Sequence, residues 1–139
     1  MEFIDKVKQK ARENLKTIVL PEGTEERTIK AADAILAEGI ANVVLIGNPG
    51  DINHLASEYY LENIGKATVI DPLNNPKKQQ YIELMVTLRA NKGVTAEVAA
   101  KLLENPLYLG AVMVKAGDAD GEVAGAGSAT SDVLRPALQ

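Results

Sequence analysis

The chain has 139 residues, a formal net charge of −4 and no cysteine. That length suits one domain with a real core, while the acidic balance argues against a nucleic-acid face and the missing thiols exclude disulfides and thiolate metal sites. No apolar run nears the ~20 residues that span a bilayer, and the charged N-terminus lacks the apolar centre of a secretory signal, which is consistent with a cytoplasmic protein that has no membrane partner.

Phe3, Ile4, Val7, Ala11 and Leu15 recur at helical spacing, so 2–15 reads as an amphipathic helix. Thr17-Ile18-Val19-Leu20 is a short β-branched run closed by Pro21-Glu22-Gly23, a buried strand feeding a loop. Thr24 is placed to cap the next helix, whose inner face is Ile29, Ala32, Ile35 and Leu36 and whose end is Gly39. Asn42 to Ile46 gives a second strand, and Gly47-Asn48-Pro49-Gly50 reads as a turn before a weaker helix over 51–60. Ala67 to Ile70 is a third strand, stopped by Asp71-Pro72.

Pro76 suits the first turn of a helix over 76–91, with Tyr81, Leu84, Met85 and Leu88 as its buried stripe and Gly93 beyond its end. Thr95 caps a helix over 96–104. Asn105-Pro106 opens another that runs to Ala116, apolar nearly all round and therefore buried. Gly117 closes it, and Glu122 to Ala124 reads as a fourth strand before Gly125-Ala126-Gly127-Ser128-Ala129-Thr130-Ser131. Short strands alternating with helices predict an α/β fold, three-layer α/β/α, with a mainly parallel sheet. Ligands of such sheets collect outside the carboxyl ends of strands, which singles out the loops 21–24, 47–50 and 125–131.

The 125–131 loop lets backbone N–H groups of Gly125 and Gly127, and hydroxyls of Ser128, Thr130 and Ser131, approach an anion. It is neither a full dinucleotide fingerprint nor a P-loop, and the same residues fit a turn that needs small side chains. Arg135 stands among Val133, Leu134, Ala137 and Leu138, and such an arginine needs an anionic partner. A ligand phosphate and a structural carboxylate such as Asp132 both qualify. Arg89 lies at the edge of its helix's stripe, where it fits either a cleft or a snorkelling position at the last turn. Asp118-Ala119-Asp120-Gly121 lacks the further ligands of a calcium loop and suits a turn after Gly117 instead. His54, the sole histidine, suits a surface helix position, and no metal site is expected.

Three stretches resemble the N-terminal part of the phosphate acetyltransferase (phosphotransacetylase) family. They are Ile18 to Gly23 with Glu26-Arg27, Leu88-Arg89-Ala90-Asn91-Lys92-Gly93, and Gly117 through Gln139. The likeness extends over the whole chain and departs at Ser128-Ala129, where many members carry histidine and serine. Phosphate butyryltransferase is the near relative. A non-catalytic module that binds phosphate or an acyl phosphate is the alternative from another class.

The resemblance implies an enzyme exchanging acetyl-CoA and phosphate with acetyl phosphate and CoA, by direct attack of the CoA thiolate on the acetyl carbonyl. It implies a first domain like that of the isocitrate and isopropylmalate dehydrogenases, a homodimer, and coenzyme A as a substrate with no permanently bound cofactor. Arg135 and Arg89 match arginines of the family's active-site cleft, with Gly125, Gly127, Ser128, Thr130 and Ser131 lining the same pocket. The family's base and most of its CoA surface come from a later part of the chain. Residues 1–139 are therefore expected to be the N-terminal part of a first α/β domain, without the second domain or the C-terminal return segment, and inactive alone.

Overall fold

Val19 and Leu20 are neighbours in one strand, and both are buried. Their side chains point to opposite sides, so the sheet that holds them must be covered twice. In the computed structural model, which describes residues 2–124, that is the outcome. Strands β1 (Thr17–Leu20), β2 (Asn42–Ile46), β3 (Thr68–Ile70) and β4 (Gly121–Glu122) form one parallel sheet in the order β3-β2-β1-β4. Ile18 stands opposite Val43 on one side and Gly121 on the other.

Helices α2 (Glu26–Glu38) and α3 (Pro49–Glu58), with a 3-10 turn at Ile64–Lys66, cover one face. There Ile29, Ala32, Leu36, Ile52 and Ile64 pack on Leu20, Val43 and Leu45. Helices α4 (Lys78–Leu88), α5 (Ala96–Leu102) and α6 (Pro106–Lys115) cover the other, where Tyr81, Met85, Leu103, Leu109 and Met113 pack on Val19, Val44 and Ile46. The alternation along β2 thus divides the core into two clusters. Among the described residues, no helix is long and apolar enough to cross a membrane.

Helix α1 (Phe3–Glu13) forms as its periodicity predicts, yet none of its residues is buried, and Phe3 is 80% exposed. It is tied to the end of α2, with Lys8 Nζ donating to Glu38 Oε1 at 2.7 Å and Arg12 Nε to the Glu38 carbonyl at 2.9 Å.

Several boundaries differ from the sequence reading. Glu25, not Thr24, caps α2: its carboxylate accepts from Thr28 N–H at 2.8 Å, while the Thr24 methyl packs beside Gly47. Asn48 caps α3 with Pro49 in the first turn, so this helix starts two residues earlier than expected. Helix α4 starts at Lys78 and ends at Leu88, which is 53% exposed rather than part of the buried stripe. Thr95 and Asn105 cap α5 and α6 as expected. His54 is an exposed residue of α3, 4.0 Å from Glu58.

The two aspartates after Gly117 order the turn. Asp120 accepts from Thr17 N–H at 2.8 Å and returns its own N–H to the Thr17 carbonyl. Asp118 accepts from Tyr81 Oη at 2.5 Å and from Lys77 Nζ at 3.2 Å. These bonds hold the Asp118 carboxyl below the ordinary aspartate range, the Tyr81 bond contributing most. Burial, and then that same bond, pushes the Tyr81 phenol up.

Because the folded Asp118 is the stronger acid, its contribution is present above the unfolded aspartate value and is lost as pH falls through the folded one. Tyr81→Phe should therefore cost about 1 kcal/mol in urea denaturation at pH 7, with the gap closing towards pH 3. An equal gap at both pH values would contradict this.

Candidate functional site

The strand order places β2 and β3 to one side of β1, whereas β4 returns to the other. The carboxyl ends of β1 and β4 therefore flank the point where the winding reverses, and open α/β sheets bind their ligands in that crevice. From β1 emerges Pro21-Glu22-Gly23-Thr24. From β4 emerges Val123-Ala124, and in sequence the 125–131 run follows directly.

The first loop is drawn tightly against its neighbour. Gly23 N–H donates to the Ile46 carbonyl at 3.1 Å, and Gly47 N–H to the Ile70 carbonyl at 2.9 Å. A Cβ on Gly23 would stand 2.6 Å from Ile46 O, so glycine is required by close backbone approach. Burial alone would raise the Glu25 carboxyl. The N–H groups of Thr28 and Arg27, with the Thr28 hydroxyl and the Arg27 side chain, hold it below the ordinary glutamate range instead.

Beside these loops lies a cleft of about 750 Å³ lined by Pro21, Glu22, Glu25, Gly47, Asn48 and Asp51, and closed by Asn105 to Leu107. The first turns of α2, α3 and α6 all open onto it. One N–H group of each is engaged by its cap, with Asn48 Oδ1 accepting from Asp51 N–H at 3.1 Å and Asn105 Oδ1 from Leu107 N–H at 2.9 Å. Glu22, Glu25 and Asp51 make this wall acidic, and among the described residues no lysine or arginine lines it. The described part of this wall therefore offers little to an anion.

Arg89 is the C-cap residue of α4 and is partly exposed. Tyr81 and Lys77, at the other end of α4, reach Asp118 by the amino ends of the strands, where Thr17, Asn42 and Thr68 line a separate cavity. The 11 residues of α4 rise about 16 Å, which carries Arg89 to the opposite end of its layer. Its guanidinium makes no hydrogen bond or ion pair among the described residues, unlike Arg27, which pairs with Glu25 at 3.3 Å. Arg135, Gly125, Gly127, Ser128, Thr130 and Ser131 lie outside the described residues. The loops 21–24 and 47–50 singled out in the sequence do line this cleft; its acidic character, from Glu22, Glu25 and Asp51, was not foreseen.

The profile of the family described as phosphate acetyl/butaryl transferase matches residues 2–139. The chain is 47% identical to a phosphate acetyltransferase of Acetivibrio thermocellus and 48% identical to one of Thermoanaerobacterium thermosaccharolyticum. Both alignments cover the whole chain but only 41% and 42% of those relatives, so the chain spans about two fifths of their length. Among solved structures it superposes on a phosphotransacetylase from Streptococcus pyogenes with a TM-score of 0.92, at 32% identity, over all of this chain and 43% of that one. The EutD phosphotransacetylase from Staphylococcus aureus gives 0.88 at 35% identity, covering 97% of this chain and 40% of that one.

Gly23→Ala should destabilise the chain by about 2 kcal/mol or more in urea denaturation, because the obstructing atom is a backbone oxygen that has no rotamer to escape into. A loss below about 0.5 kcal/mol would show that the loop does not rest on Ile46.

Proposed function

The chain belongs to the phosphate acetyl/butaryl transferase family, and from that premise we propose that it forms the phosphate-holding wall of an acyltransferase. The reaction exchanges acetyl-CoA and phosphate with acetyl phosphate and CoA. The observation that carries this reading is the β3-β2-β1-β4 order, which sets the carboxyl ends of β1 and β4 side by side and lets the glycine- and hydroxyl-rich run 125–131 follow from the reversal point.

Arg135 and Arg89 are the proposed catalytic residues. Starting from acetyl phosphate and CoA, the CoA thiolate attacks the acetyl carbonyl carbon, the carbon–oxygen bond to phosphate breaks, and the leaving phosphate takes up a proton and departs as the dianion. Two guanidinium groups stabilise that developing charge with matched geometry. Gly125 and Gly127 offer backbone N–H groups, and Ser128, Thr130 and Ser131 offer hydroxyls. The proton of the CoA thiol goes to a base supplied from beyond these residues.

Coenzyme A is a substrate on this reading, not a resident group. The 139 residues act as the N-terminal part of a first α/β domain, and further parts of that domain would cover the apolar trough of Ile18, Leu20, Ala31, Ile35 and Val123. The complete protein is proposed to work in the cytoplasm as a homodimer. The family description spans acetyl and butyryl transfer, so acyl-chain preference is part of the test.

The test is a chimera in which these residues replace the matching region of the Acetivibrio thermocellus phosphate acetyltransferase, with the 139-residue chain as control. The chimera should form acetyl-CoA from acetyl phosphate, and more slowly from the butyryl compound, while the chain alone should not. Arg135→Ala and Arg89→Ala should each lower kcat/KM about 100-fold or more. Phosphate binding by the chain together with a folded but inactive chimera would favour the non-catalytic module. Unchanged kinetics in Arg135→Ala would remove that residue from the site.

A further inference from the structure

Glu122 is the last residue of β4, the edge strand, and stands in register with Val19 of β1. Its side chain lies against α6 at Gly110, where a Cβ would collide with the carboxylate. Oε2 is buried and, among the described residues, has no hydrogen-bond partner and no compensating charged neighbour. Strand β1 carries no titratable side chain, those of α6 are Tyr108 and the exposed Lys115, and Asp120 on the near side is bound to Thr17 N–H. Burial alone pushes the Glu122 carboxyl up to about 7.

The strand that carries this group is the shortest of the sheet. Two residues pair with β1, and the flanking bonds are Asp120 N–H to the Thr17 carbonyl at 2.8 Å and Val123 N–H to the Val19 carbonyl at 3.0 Å. Val123 is 61% exposed. Little holds β4 down if its one inward side chain becomes unfavourable there.

We propose that a proton on Glu122 holds β4 in place, and that its loss lets the strand peel from β1 so that the carboxylate reaches water. An open β4 ionises near the ordinary glutamate value, while the closed strand keeps its proton until about 7. Between those values, raising pH ionises the open form alone and favours opening; above about 7 both forms are ionised and the effect levels off.

Amide hydrogen exchange on the 139-residue chain tests this, with rates corrected for intrinsic pH dependence. The population open at Asp120 and Val123 should rise about tenfold or more between pH 5 and 8. Protection of Ile29 in α2 and of Gly47, which bonds Ile70, should stay level. Glu122→Gln should abolish the rise, and Glu122→Leu serves the same purpose if the amide variant does not fold. Level protection of Asp120 and Val123 in the unmodified chain would overturn the proposal. So would a fall shared with Ile29, or one that persists in either variant.

Discussion

Strand β1 must be buried on both faces and paired on both edges. Val19 and Leu20 fill opposite clusters, and β2 and β4 take its two edges. Winding in one direction supplies β2, β3 and one helix layer. The second edge is reached only if the chain turns back across the sheet, and right-handed crossovers then place α4 to α6 on the other face. The reversal of winding, and with it the crevice at the carboxyl edge, is a consequence of covering one apolar strand completely.

That edge is chemically divided. On the β1–β2 side the helix starts are capped by Glu25, Asn48 and Asn105, with Glu22 and Asp51 beside them. One N–H group of each start is already answered by a cap oxygen, and the carboxylates beside them lower the positive potential left for a ligand. On the β1–β4 side the two strand ends lie together and the small-residue run follows. On the proposed reading, positive charge for a phosphate comes from arginines, and Arg89, unpaired among the described residues, is a better candidate than Arg27, which Glu25 engages.

Much of this was legible in the sequence, and the misses have physical reasons. The β-branched run at 17–20 and the 42–46 run announced buried parallel strands, because no polar residue interrupts 18–20 or 43–46. Asn105-Pro106 was readable as a helix start, but Asn48-Pro49 was taken for a turn because Gly50 follows it, and proline-glycine also fits a reverse turn. Thr24 and Glu25 were both chemically able to cap; packing of the Thr24 methyl beside Gly47 decided between them. Leu88 kept the helical period but passed the end of the layer it would have packed on. Glu122 blurred the fourth strand, since a carboxyl at an inward position disguises a buried pattern. Arg89 was found at a helix end, as expected, while Arg135 and the 125–131 run rest on sequence alone.

The central claim is that the β1–β4 reversal, not the neighbouring acidic cleft, receives the phosphate. A titration of the chain with acetyl phosphate, followed residue by residue through its amide resonances, tests it most directly. The account predicts saturable shifts at Gly125, Gly127, Thr130 and Ser131, at Arg89 and at Gly23, with Asn48, Asp51 and Leu107 unmoved. Shifts confined to Asn48, Asp51 and Leu107, or to Lys66 and Lys77 at the amino edge, would contradict it.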